Sequence, residues 1–172
     1  ALATLDRDAR LTTTVLATDK PGLVVLHGGG DPTLSAAPAD KPTWYKGAAR
    51  ISDLADQVRR SGAAVTAVQV DLSAYSGPTM APGWDPADID GGDIAPMEAV
   101  MLDGGRTQPV SVESRRSRTP ALDAGRALAA ALRVDPAKVT VVTRSVDGDE
   151  IASVQSPPLM ERLRQMMHSS DN

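Results

Sequence analysis

The sequence predicts an α/β (α+β) fold, a two-layer sandwich with helices on one face of a sheet. Three observations predict it: short β-branched runs bounded by turn residues, two capped amphipathic helical segments between them, and the order in which they alternate. That order is strand, strand, helix, strand, then strand, helix, strand. After its first member this is the split β-α-β core of ferredoxin-like sandwiches, here with an extra N-terminal strand, long irregular loops and a C-terminal helix. Right-handed crossovers place both long helices on the same side. The 172 residues suit a single domain, with a core over about 11–154 and a C-terminal amphipathic helix over about 157–168.

Residues 11–17 are rich in Thr and Val, residues 19–22 carry turn chemistry, and residues 23–26 are apolar, so a hairpin is expected. Residues 27–46 hold three consecutive glycines and little periodicity, which predicts a long surface loop. Ser52 stands where an N-cap belongs, Asp53 and Asp56 favour the positive end of a helix dipole, and Arg59 and Arg60 favour the negative end. Gly62 supplies the stop. Ile51, Leu54, Ala55 and Val58 share a face. Residues 65–72 alternate as a half-buried strand.

From residue 73 to 107 Gly, Pro and Asp are dense, interrupted by the apolar stretch 99–102, which predicts a short edge strand, and residues 110–113 predict another strand. Thr119 and Pro120 open a helix lined by Leu122, Gly125, Leu128, Ala129 and Leu132, which Asp135-Pro136 ends. Residues 138–144 and 151–154 are β-patterned around Asp147-Gly148. A final helix follows Ser156, Pro157 and Pro158.

Composition excludes several classes. Without cysteine there is no disulfide, thiolate zinc site or thiol nucleophile. A net charge of -4 and only two Trp, two Tyr and no Phe argue against nucleic-acid binding, so Arg115, Arg116 and Arg118 are expected to form a solvated basic cluster. No apolar run reaches the roughly 20 residues that span a bilayer. A chain beginning at Ala1 fits a processed product or an excised piece, and membrane attachment is expected only through segments outside it.

Two features bear on chemistry. His27-Gly28-Gly29-Gly30 follows an apolar strand and resembles the oxyanion-hole loop of α/β-hydrolase esterases, whose glycines turn backbone N–H groups toward a developing oxyanion. That family also needs a Gly-x-Ser-x-Gly elbow, and this chain has none. A structural glycine turn is the simpler expectation, and a phosphate cradle is disfavoured because no helix opens directly after the glycines and no Walker lysine follows them. Asp85, Asp88, Asp90 and Asp93 do not match a calcium loop, so no metal and no cofactor is expected. In the last helix Leu159, Leu163, Met166 and Met167 form an apolar stripe suited to a protein partner or to docking on the open sheet face.

The Thr-rich strand 11–17, the helix beginning Ile51-Ser52-Asp53-Leu54, the strand ending at Leu72, the alanine-rich helix 121–132 and Gly148-Asp149-Glu150-Ile151 together resemble the soluble domain of EccE, a membrane component of type VII secretion systems. The resemblance covers residues 11–152. It implies a non-enzymatic assembly domain, associated with a membrane, whose partners are other subunits of a secretion complex or a second copy of itself, and it transfers no catalytic residue. The alternatives are an esterase built on His27, Gly28, Gly29 and Gly30, or a domain that binds a small ligand against its long loops.

Overall fold

The computed structural model describes residues 4–169. Among them five strands form one mixed sheet, β1 (Thr12–Ala17), β2 (Leu23–His27), β3 (Ala67–Asp71), β4 (Thr140–Val142) and β5 (Asp149–Gln155). Their order is β4-β3-β2-β1-β5. The helices are α1 (Ile51–Arg60), the single-turn α2 (Ala87–Gly91), α3 (Pro120–Ala131) and α4 (Leu159–Ser169).

The expected hairpin forms, with Val15 opposite Leu26 and Leu16 opposite Val25. β5 then pairs antiparallel with the free side of β1, through an irregularity between Val15 and Leu16. On the other side β2, β3 and β4 run parallel as direct neighbours. The α/β two-layer class with an added N-terminal strand and a C-terminal helix therefore stands, but its connections are simpler than the split β-α-β plan. A split core needs a strand between the two parallel ones, and residues 110–113, which would have supplied one, are an exposed loop.

Alternation decides which side each strand buries. Val24 and Leu26 of β2, Val68 and Val70 of β3, and Val15 and Ala152 of β1 and β5 face the helices. α1 answers with Ile51, Leu54, Ala55 and Val58, and α3 with Ala121, Ala124, Leu128 and Ala129. Each large member of this cluster contributes about 1.5–3 kcal/mol by leaving water. On the opposite face Val25 is fully buried, whereas Leu16, Leu23 and Gln69 around it are half-buried. α4 does not cover that face; it lies against loops.

α1 starts two residues earlier than a Ser52 cap predicts. Arg50 is the extended residue before it, and Ser52, inside the first turn, has a buried Oγ without a hydrogen-bond partner. The Gly62 stop is left-handed as expected, with φ +78°. Gln57 on α1 reaches the outer strand: its amide donates to Ser153 O at 2.9 Å and accepts from Ser153 N at 3.0 Å. One side chain thus occupies ladder groups that an edge strand would otherwise present to another chain.

Two further expectations fail for one reason. Residues 99–102 contain buried Ala99, Val100 and Met101, yet they make no ladder and pack as irregular chain against the glycine turn after β2. The 27–46 loop is likewise no surface excursion, since Asp31, Thr33, Leu34 and Ser35 are all buried. The two segments bury each other, so neither needs a sheet to hide its apolar groups.

α3 approaches the sheet closely at Gly125. A Cβ built there would lie 2.5 Å from Val70 Cγ2 and 2.7 Å from Val139 Cγ1, both well inside contact distance. Gly125→Ala should therefore destabilise the fold, because overpacking costs about 1–3 kcal/mol and exceeds the roughly 1 kcal/mol that alanine gains as a helix former. Urea denaturation reads the difference as a lower midpoint. A higher midpoint would mean that the helix does not sit this close.

Candidate functional site

The site is built where β2 ends. His27 closes the strand, and its Nδ1 lies 3.2 Å from Oδ2 of Asp71, its parallel neighbour on β3. Asp71 is fully buried; Oδ1 accepts from Ser73 N at 2.7 Å and Oδ2 from Val146 N at 3.0 Å. Burial pushes its carboxyl up, but these N–H groups and His27 outweigh burial and hold it below the usual range. The pair ties the loops after β3 and β4 to the end of β2.

Gly28, Gly29 and Gly30 follow, and each is needed for space. A Cβ on Gly28 would strike Ala99 O, one on Gly29 would strike Thr12 O, and one on Gly30 would strike the Tyr75 hydroxyl. Gly30 N donates to Ala99 O at 2.7 Å. The Gly30 N–H is thus engaged in holding two loops together and is not open to an oxyanion.

Past the glycines lies a buried polar knot. Asp31 Oδ1 accepts from Thr33 N at 2.9 Å and Thr33 Oγ1 at 2.6 Å. Burial raises the Asp31 carboxyl, against these bonds and the charge of Arg162. Leu34 O and Pro32 O accept from Asp103 N and Gly104 N, both at 2.8 Å. Asp103 has φ +51° and is wholly enclosed. Its oxygens face Ser35 and the Ala36 N–H without well-formed hydrogen bonds, and burial drives its pKa to about 6 despite Arg106 and Arg50 nearby. Arg106 stacks over Trp44, 4.0 Å from the ring centre, and donates to Tyr45 Oη at 3.2 Å.

α4 is held from two directions, by residues 7–11 and by the Lys46 backbone. Ser156 N donates to Leu11 O at 2.8 Å and Ser156 Oγ accepts from Leu11 N at 2.9 Å. Leu159 N and Met160 N donate to Ala9 O and Arg7 O at 2.9 and 3.1 Å, and Gln165 exchanges two 3.0 Å bonds with the backbone of Lys46. No residue of α4 is fully buried. Its expected stripe divides: Leu159, Leu163 and Met166 line a cavity of about 340 Å³ with Tyr75, Trp84 and Glu98. Met167 turns to a wider groove beside Trp44 and Tyr45. Gly30 also reaches the first cavity, so the structure joins part of the glycine turn to part of the stripe, while His27 stands apart from both. In the acidic loop Asp90 pairs with Arg118 at 2.7 Å, and Asp85 Oδ1 caps Ala87 N. Of the basic cluster, Arg116 is buried and donates to Gly92 O and Gly104 O, so it is part of the frame and not a solvated charge.

The model of the D-Ala-D-Ala carboxypeptidase 3 (S13) family matches residues 1–114 and 106–172. The chain is 75% identical over its whole length to Carboxypeptidase DacB of Mycolicibacterium smegmatis and 65% identical to Carboxypeptidase Rv3627c of Mycobacterium tuberculosis. It spans 38% of the length of each of these curated relatives. Among solved structures it resembles penicillin binding protein 4 (dacB) from Haemophilus influenzae, with TM-score 0.65 and 16% identity over 96% of this chain and 50% of that one. The likeness to the solved structure bears on the fold alone.

These matches correct the resemblance to EccE, and with it the non-enzymatic assembly role and the secretion-complex partners. They favour the hydrolytic alternative. They also expose a signal that the sequence analysis passed over. Penicillin-binding proteins carry Ser-x-x-Lys, Ser-Asp-Asn and Lys-Thr-Gly motifs. This chain contains Ser170-Asp171-Asn172 immediately after α4, and neither of the other two. The triplet lies outside the described residues; the helix before it is described through Ser169.

The buried Asp103 makes stability depend on pH with a definite sign. Its carboxyl ionises near 3.8 when unfolded and near 6 when folded, so between these values the folded state holds more protons. Stability is therefore full below the first value, falls as pH rises through the second, and is flat above. Asp103→Asn, which keeps the shape and tolerates a positive φ, should remove this slope and raise stability at neutral pH by about 1–3 kcal/mol. Thermal melts across the window check it. An unchanged slope in the variant would show that Asp103 is not its source, and a wild-type stability that rises through this window would show that the carboxylate is the favoured form.

Proposed function

This chain belongs to the D-Ala-D-Ala carboxypeptidase 3 (S13) family, and on that premise we propose that it is the segment of a serine carboxypeptidase that supplies the Ser-Asp-Asn motif. The α/β sandwich serves as the frame that sets α4 in place. The substrate is a peptide ending in D-alanyl-D-alanine, and the reaction removes the terminal residue.

The observation that carries this proposal is Ser170-Asp171-Asn172 following in sequence a helix tethered at its first turn and again at Gln165. In this class of chemistry the Ser-x-x-Lys serine attacks the carbonyl of the penultimate residue, the peptide C–N bond breaks, and the amine leaves with a proton. Water then cleaves the acyl-serine ester. The nucleophile is not among these 172 residues, so it must come from elsewhere in the gene product. What Ser170 and Asn172 bring is a hydroxyl that both gives and takes a hydrogen bond, and a carboxamide that binds a peptide amide from either side. Such groups are useful only when held to a fraction of an ångström, which explains a rigid anchoring of the helix before them.

Support also comes from what the remaining site residues do. His27, which opens the loop that resembles an oxyanion hole, pairs with Asp71 as a strand-end tie, and the Gly30 N–H is engaged with Ala99 O. Neither belongs to the proposed acyl transfer.

The complete gene product should form a covalent adduct with a labelled penicillin and release D-alanine from a peptide ending in D-Ala-D-Ala. Asn172→Ala should lower kcat/KM by about a hundredfold or more while leaving the melting temperature unchanged. Absence of both adduct and D-alanine release from a folded gene product would end the proposal.

A further inference from the structure

The four aromatic residues of this chain are placed unusually. The sequence holds two Trp, two Tyr and no Phe, and the cluster between sheet and helices uses none of them. Trp44 stands beside α4 in one groove, Tyr75 and Trp84, 45% and 38% exposed, line the cavity on its other side, and Tyr45 reaches both. A chain that builds its core from Val, Leu, Ile and Ala has put its large flat side chains around one set of cavities.

We propose that the cavity between α4 and the 73–98 loop is a saccharide-binding site, taking neutral sugar rings against Tyr75 and Trp84 with Glu98 and Arg162 as polar anchors. The site goes beyond the acyl-transfer chemistry and stands independently of it. Its volume, about 340 Å³, falls in the range of small-molecule pockets. A second cavity of about 690 Å³ shares Tyr75, Trp84, Met97 and Glu98 and continues the surface along the loop.

Charge selects the ligand class. One carboxylate and one guanidinium line the cavity, so their fields oppose each other and neither a cation nor an anion is favoured overall. Glu98 Oε2 accepts from Ala121 N at 2.7 Å, and burial, with Asp123 nearby, raises its pKa. Arg162 spends Nε on Pro157 O at 3.1 Å. A wholly apolar ligand would strip water from both groups and return no hydrogen bonds. A sugar ring carries C–H faces that suit the negative faces of aromatic rings, and a rim of hydroxyls that donate to a carboxylate and accept from a guanidinium. Met97 and Met166 supply adaptable apolar walls.

The test uses the complete gene product that carries this chain, labelled with nitrogen-15, titrated with β-1,4-linked disaccharides of glucose and of N-acetylglucosamine, and separately with butylammonium. Saturable shifts are expected at the Trp84 indole N–H and at the amides of Tyr75, Met97, Glu98 and Arg162, with the Trp44 indole unmoved. Glu98→Gln keeps the bond from Ala121 N, and Tyr75→Ala removes one ring; each should weaken disaccharide binding about tenfold with the rest of the spectrum preserved. No saturable shift at tens of millimolar of either disaccharide would overturn the proposal. So would shifts confined to residues outside the cavity, or a response to butylammonium that the sugars do not produce.

Discussion

Two stretches of irregular backbone cross where β2 ends, and the crossing is close enough that only glycine fits. Gly28 packs on the Ala99 carbonyl, and Gly30 donates its N–H to the same oxygen. From this contact the rest follows. It brings residues 31–35 over residues 99–106, which lets Leu34, Val100, Asp31 and Asp103 bury one another without belonging to the sheet. It also gives Arg106 the place from which it stacks on Trp44 and bonds Tyr45, beside the Lys46 backbone that clasps Gln165 of α4. A steric constraint on three residues is thus transmitted through two loops to the helix that precedes Ser170-Asp171-Asn172.

The molecule divides its work accordingly. One layer of helices on one face of the sheet supplies the apolar free energy, and it does so with small aliphatic side chains. The loops at the C-terminal ends of the parallel strands supply position, at the cost of enclosing carboxylates such as Asp103 that would rather be neutral. Buried polar groups of this kind are retained where geometry matters more than stability. The exposed aromatic rings and the tethered helix both lie on that loop side, and the opposite half of the fold carries no comparable feature among the described residues.

Periodic features of the sequence were legible and aperiodic ones were not. α1, β3 and α3 follow from 3.6- and 2-residue spacing with turn and cap residues at their ends, because such spacing reports one buried face. The stretch 99–102 is as apolar as a strand, yet its partner is a glycine turn far away in sequence, and no local pattern encodes that. Val110 and Val112 alternate like a strand but stand 62% and 74% exposed, since the parallel sheet closes on β4 instead. The resemblance to EccE rested on an alternating order and on helix composition, which many unrelated α/β chains share. By contrast Ser170-Asp171-Asn172 is a short motif with a chemical reason, legible in the sequence but passed over there, because three residues carry little weight until the family matches supply the context. The apolar stripe of Leu159, Leu163 and Met166 is likewise periodic, but spacing alone does not tell what it faces, which is a cavity under loops and not the open sheet.

Whether the glycine crossing holds α4 is read out by amide hydrogen exchange on Gly28→Ala. The added methyl collides with the Ala99 carbonyl, so exchange should accelerate together over residues 31–35, 99–106 and 159–169, while protection of β1, β2 and α1 persists. Unchanged protection along α4 in a folded Gly28→Ala protein would contradict it.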